Sequence, residues 1–134
     1  MTPSQKTVFV IADPPALWLL VDVLRSAGYR AMGVGDAAAA GAVREPLAPD
    51  LVIAAYPGLD GGEEDLTGLL LRGRGEARYR AIALLPTHDD RLAAAALADG
   101  FEDVCAEPVS ASEVLAKVSR LLAPSRPPEP PPLA

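Results

Sequence analysis

The chain has 134 residues, half of them apolar and 22% charged, which is enough for one domain with a sizeable core and too few for two. Twelve Lys and Arg against eighteen Asp and Glu give a net charge of -6, which repels phosphate backbones and anionic lipid headgroups and argues against nucleic acid or membrane as direct partners. The longest apolar stretches fall far short of the roughly 20 residues of a bilayer span, and the single cysteine, Cys105, permits neither an internal disulfide nor a thiolate metal cage. Residues 1–6 lack the charged and apolar regions of a secretory signal, so the expected location is the cytoplasm.

Thr7 to Ile11 (TVFVI) is a continuous apolar and β-branched run, the pattern of a strand covered on both faces. Asp13 is the expected N-cap of a helix with Pro14 and Pro15 in its first turn, Leu17, Leu20, Val21 and Leu24 as its buried stripe, and Gly28 as its left-handed terminator. Tyr29 to Val34 reads as a second strand, Asp36 as the cap of an Ala-rich helix to about Arg44, and Leu51 to Ala55 (LVIAA) as a third strand. After a Gly58 to Gly62 turn, Glu63 to Leu71 reads as a helix whose acidic first turn complements its dipole. Ala81 to Leu85 is the fourth strand, His88 to Ala98 a helix ended by Gly100, and Phe101 to Ala106 the fifth strand. Ser110 and Glu113 form a capping box for the last helix, with Val114, Val118 and Leu121 as its buried face.

Five apolar strands, each followed by a helix, call for a parallel sheet between helical layers with right-handed crossovers. Sites in such sheets lie at the carboxyl ends of the strands. From Pro124 the sequence PSRPPEPPPLA can bury little and build no ladder, so residues 6–123 form the expected domain and 124–134 a proline-rich tail or linker.

The order and spacing of several landmarks resemble the receiver domain of bacterial two-component response regulators. These are Val8 to Asp13 with Pro15, Ala27-Gly28-Tyr29, Pro49-Asp50-Leu51-Val52, Pro57 with Asp60-Gly61, Gly100 with Asp103, and Glu107-Pro108 followed by Ser110 and Glu113. The resemblance implies a doubly wound five-stranded α/β fold of flavodoxin-like order 2-1-3-4-5 with helices on both faces, and a cis peptide before Pro108. It also implies a site. Working receivers carry two acids after the first strand, a phosphoacceptor Asp ending the third, a Thr or Ser after the fourth, and a Lys before Pro after the fifth. The acids hold Mg²⁺, and metal and Lys together neutralise the transferred phosphoryl group.

On this sequence those positions fall on Ala12 and Asp13, on Ala55, on Pro86 with Thr87 beside it, and on Glu107, while the aromatic partner of the switch hydroxyl falls on Val104. Alanine cannot accept a phosphoryl group, and Glu107 reverses the charge of the Lys. The resemblance is therefore to a degenerate receiver, a pseudo-receiver, that signals by protein contact without phosphorylation, catalytic turnover, metal or cofactor.

A second reading stays open, that of a small-molecule or nucleotide sensor using the emptied pocket. Gly33-Val34-Gly35-Asp36-Ala37-Ala38 fits G-x-G-x-x-A after a strand, although it falls on the second strand-helix unit and Asp50 precedes a strand where a ribose-binding acid should follow one. The sole histidine, His88, reads as a surface residue at a helix start. Cys105 reads as a small core residue because nothing basic flanks it in sequence, and Arg72, Arg74, Arg78 and Arg80 read as a solvated loop.

Two surfaces are the expected contacts for a protein partner or a second copy. Working receivers use the face formed by their fourth helix, fifth strand and fifth helix; here that helix carries Ala93 to Ala96 in a row, and Ala94 and Ala95 are the candidate contacts. Trp18 shares a helix face with Asp22 and Arg25 and should point outward as a second anchor. The alternative is that it folds back over the pocket left by Ala12 and Ala55.

Overall fold

The computed structural model describes residues 6–35, 49–56 and 80–122. In chain order these form β1 (Thr7–Ile11), α1 (Ala16–Ser26), β2 (Arg30–Val34), β3 (Leu51–Ala55), β4 (Arg80–Leu85), α2 (Asp90–Asp99), β5 (Asp103–Ala106) and α3 (Ala111–Leu122). The helices expected over 36–44 and 63–71, the arginines at 72, 74 and 78, and the proline-rich segment 124–134 lie outside the described residues.

All strand pairs are parallel and the sheet order is β2-β1-β3-β4-β5. Every residue of β1 is buried, as are Leu51 to Ala54 of β3 and Ala81 to Leu85 of β4, which is why these strands are apolar without alternation. Alternate residues feed two cores. Val8, Val10, Leu51, Ile53, Ile82 and Leu84 pack with α1 and α3 on one face. Phe9, Ile11, Val52, Ala54, Ala81 and Ala83 pack with Ala96 of α2 and Phe101 on the other.

Asp50 holds the start of the sheet together. Its Oδ2 accepts from Thr7 N at 2.8 Å, its own N–H donates to Thr7 O at 2.8 Å, and its carbonyl accepts from Arg80 N at 3.0 Å. One aspartate thus bonds the entrances of β1 and β4 across β3.

Each edge strand is tied to a helix through a cationic side chain. Arg25 Nε of α1 donates to Ala31 O of β2 at 3.1 Å, and Lys117 Nζ of α3 donates to Val104 O of β5. The N–H of Val104 in turn donates to Asp103 Oδ1 at 2.8 Å.

Helix boundaries differ from expectation where two cap residues competed. Helix α1 begins at Ala16 with Pro15 at its N-cap and no side-chain cap bond. The backbone carbonyl of Asp13, three residues before Ala16, accepts from Leu17 N at 3.2 Å. Helix α2 is capped by Asp89, whose carboxylate accepts from Arg91 N and Leu92 N, so it starts two residues after His88. At the last helix Ser110 Oγ accepts from Glu113 N at the long distance of 3.5 Å, while Glu113 pairs forward with Lys117 at 3.0 Å. Gly28 and Gly100 adopt φ +95 and φ +117, the left-handed ends expected of them.

Gly33 has a packing reason to be glycine. A Cβ there would stand 2.5 Å from Leu17 Cδ1 and 2.9 Å from Val21 Cγ2, so its absence lets α1 sit against β2. The first glycine of the G-x-G-x-x-A pattern is thus needed for helix-on-sheet contact; residues 36–38 of that pattern lie outside the described residues.

Candidate functional site at the carboxyl edge of the sheet

The parallel ladder brings the chain to one edge at four points. Ala12 N donates to Val34 O at 3.2 Å, Tyr56 N to Leu84 O at 2.9 Å and Glu107 N to Leu85 O at 3.0 Å, each continuing a strand pair by one step. Ala12 and Asp13 after β1, Ala55 at the end of β3, Pro86 and Thr87 after β4, and Glu107 after β5 therefore share that edge. Ala12 is buried, Asp13, Ala55 and Glu107 are half-buried, and Pro86 and Thr87 are exposed. The Glu107–Pro108 peptide is cis, as expected, and Pro14–Pro15 is cis as well.

The chemistry available there is limited. Two methyl groups stand there, Ala12 just after β1 and Ala55 at the end of β3, and among the described residues the carboxylates along the edge are those of Asp13 and Glu107. Among the described residues, too, no group of three or more His, Cys, Asp or Glu could hold a metal ion. Mg²⁺ prefers one or two carboxylates shared with a phosphate. Asp13 set beside two alanines does not fit the magnesium centre that the resemblance implies.

The expected partner residues lie away from this edge. Trp18 is 57% exposed on α1, so it points outward and does not fold back over Ala12 and Ala55. On α2 the alanine row splits by helical phase: Ala96 is buried, Ala93 is half-buried, and Ala94 and Ala95 are exposed beside the 49% exposed Leu97.

Two constellations were not visible in the sequence. Tyr56, 8% exposed, donates from its hydroxyl to Asp99 Oδ2 at 2.7 Å and meets the Phe101 ring edge-on at 5.7 Å. On the β5 and α3 side, Lys117 stands 3.0 Å from Glu113 and 3.7 Å from Asp103, and Arg120 also pairs with Asp103. The sequence offered one signal for this cluster, the Glu113–Lys117 spacing of four on a helix.

Lys117 also places a cation near Cys105, which sequence neighbours did not supply. Burial pushes the Cys105 thiol up to about 11, with Lys117 opposing and Glu113 and Asp103 reinforcing the shift. Burial alone would lower Lys117, but the hydrogen bond from Lys117 to Glu113 and the surrounding negative charge outweigh it and raise its pKa. Cys105 is thus a protonated core residue. Arg80, expected in a solvated loop, opens β4 and pairs with Glu102 at 2.8 Å.

Solved structures similar to this chain are receiver domains. A response regulator from Desulfuromonas acetoxidans matches with a TM-score of 0.76 at 27% identity, over 89% of this chain and 97% of that one. A response regulator from Thermotoga maritima matches with a TM-score of 0.77 at 20% identity, over 90% of this chain and 100% of that one. The signal receiver domain of a modulated diguanylate cyclase from Desulfovibrio desulfuricans G20 matches with a TM-score of 0.73 at 20% identity, over 88% and 94%. No protein-family model matches the sequence, and no curated protein matches it. The five-stranded 2-1-3-4-5 sheet with helices on both faces is the receiver fold.

Proposed function

We propose that this receiver-fold chain is a cytoplasmic signalling module of a two-component-type pathway that works by protein contact, without phosphorylation and without catalytic turnover. The observation that carries this reading is Ala55 at the carboxyl tip of β3, where the resemblance puts the phosphoacceptor. A methyl group offers no oxygen to a phosphoryl donor. Glu107 at the tip of β5 adds charge of the wrong sign, since a carboxylate roughly 4 Å from a phosphoryl oxygen costs about 4 kcal/mol per charge pair at an effective dielectric of about 20. Partner contact is assigned to the face of α2, β5 and α3, through Ala94 and Ala95, with Trp18 of α1 as a second anchor.

The test is to treat the chain with acetyl phosphate, and separately with beryllofluoride, in the presence of Mg²⁺, and to measure intact mass and map peptides. No adduct is expected. A phosphoryl group mapped to any aspartate at the strand ends overturns the reading. Ala94→Arg and Trp18→Ala should each weaken self-association or partner capture with the fold intact. If both behave like the parent, the contact lies elsewhere.

A further inference from the structure

Tyr56 directly follows Ala55, and its backbone N–H bonds to Leu84 O at the carboxyl edge. Its side chain joins the core on the α2 face, where the neighbouring sheet positions Ala54, Ala81 and Ala83 are all small and leave room for an aromatic ring. The ring packs edge-on against Phe101 and the hydroxyl donates to Asp99 Oδ2 at 2.7 Å.

Asp99 is the last residue of α2, and the chain beyond it rejoins the sheet where Glu102 N donates to Ala81 O at 2.9 Å. The side-chain bond therefore links two levels of β4, Leu84 and Ala81, separated by about 10 Å of strand at about 3.3 Å per residue. Asp99 also sits at the negative end of the α2 dipole with no basic residue in the last turn. Its carboxylate is disfavoured there by the helix and held by a donor from 43 residues away.

We propose that Tyr56 and Asp99 form a brace between the tip of β3 and the far end of α2, fixing the C-terminal half of that helix on the sheet and with it the exposed Ala95 and Leu97. Tyr56 is a positioning residue for that surface. The brace stands on the geometry; only its bearing on partner contact rests on the function proposed above.

Amide hydrogen exchange on the full chain tests it. Tyr56→Phe keeps the ring and its contact with Phe101 and removes the hydroxyl. Exchange over Ala95 to Phe101 should rise about fivefold, as expected for losing one hydrogen bond to a partly solvated carboxylate, while amides of α1 and α3 keep their rates. Asp99→Asn, which retains an acceptor oxygen and relieves the dipole conflict, should exchange no faster than the parent. A rise below twofold in α2, an equal rise in all three helices, or an Asp99→Asn variant as fast as Tyr56→Phe overturns the brace. Phosphoryl adduct formation leaves these rates unaddressed, so the brace and the proposed function fail separately.

Discussion

Replacing Gly33 by alanine sets two effects of known size against each other. Alanine in a strand restricts the unfolded chain and would by itself stabilise by about 0.4–1 kcal/mol. Against this, the new methyl would lie 2.5 Å from Leu17 Cδ1, 2.9 Å from Val21 Cγ2 and 3.3 Å from Leu17 Cγ, in a contact where both side chains are only 2% exposed and have little space to yield. Overpacking of this kind costs about 1–3 kcal/mol, so the net expectation is a loss of about 1–2 kcal/mol. In urea unfolding at an unchanged slope of about 1.5 kcal/mol/M, the midpoint should fall by roughly 1 M. A double-mutant cycle identifies the cause: in a Leu17→Ala background most of the Gly33→Ala penalty should vanish, because the closest clashing atom is gone. A neutral or stabilising Gly33→Ala, or the same penalty in both backgrounds, would refute the packing account and reopen a ligand-binding reason for that glycine.

Asp89→Ala should cost about 1 kcal/mol, because one carboxylate oxygen accepts two of the N–H groups left free at the start of α2; an unchanged urea midpoint contradicts this. Stability should also fall at alkaline pH. Cys105 is held protonated to about 11 in the folded chain but ionises near 9.0 when unfolded, so its contribution is complete below about pH 9 and is lost between about 9 and 11. Lys117, also raised in the fold, loses its contribution in the same direction as pH rises. A urea midpoint as high at pH 10.5 as at pH 8 argues against the Cys105 shift; the Lys117 contribution is lost only above about pH 10.5. In the native state at pH 7.5, Cys105 should resist alkylation by iodoacetamide until the chain is unfolded, and rapid native labelling would mean that the thiol is accessible.

The strands could be read from sequence because their chemistry is local: TVFVI and LVIAA are apolar apart from the β-branched Thr7, since helices cover both faces of the central sheet. Gly28 and Gly100 marked helix ends because each supplies a positive φ that other residues resist. Caps were less legible wherever two polar residues stood together. His88 and Asp89 compete for one position, and only the carboxylate can accept two N–H groups. Asp13 resembles a cap, yet the helix starts three residues beyond it. At the carboxyl edge, the roles given to Ala12, Ala55 and Glu107 came from the receiver resemblance, with Ala55 reached by a short gap-free count from Asp50. Tyr56 with Asp99, and Lys117 with Val104, were hidden because their partners lie 43 and 13 residues away and meet only once the sheet and helices have assembled.

The ties between helices and edge strands limit how this molecule can associate. A parallel sheet ends in two strands whose outward peptide groups invite another strand to pair. Here Ala31 O on β2 is occupied by an arginine, and both the N–H and the C=O of Val104 on β5 are occupied by Asp103 and a lysine. A foreign strand pairing along Ala31 on one margin or Val104 on the other would have to displace a charge-assisted bond. Growth of the sheet into a neighbouring molecule is thereby discouraged. On the helical surfaces, by contrast, a single exposed residue such as Trp18 can be changed without disturbing the ladder that holds the fold.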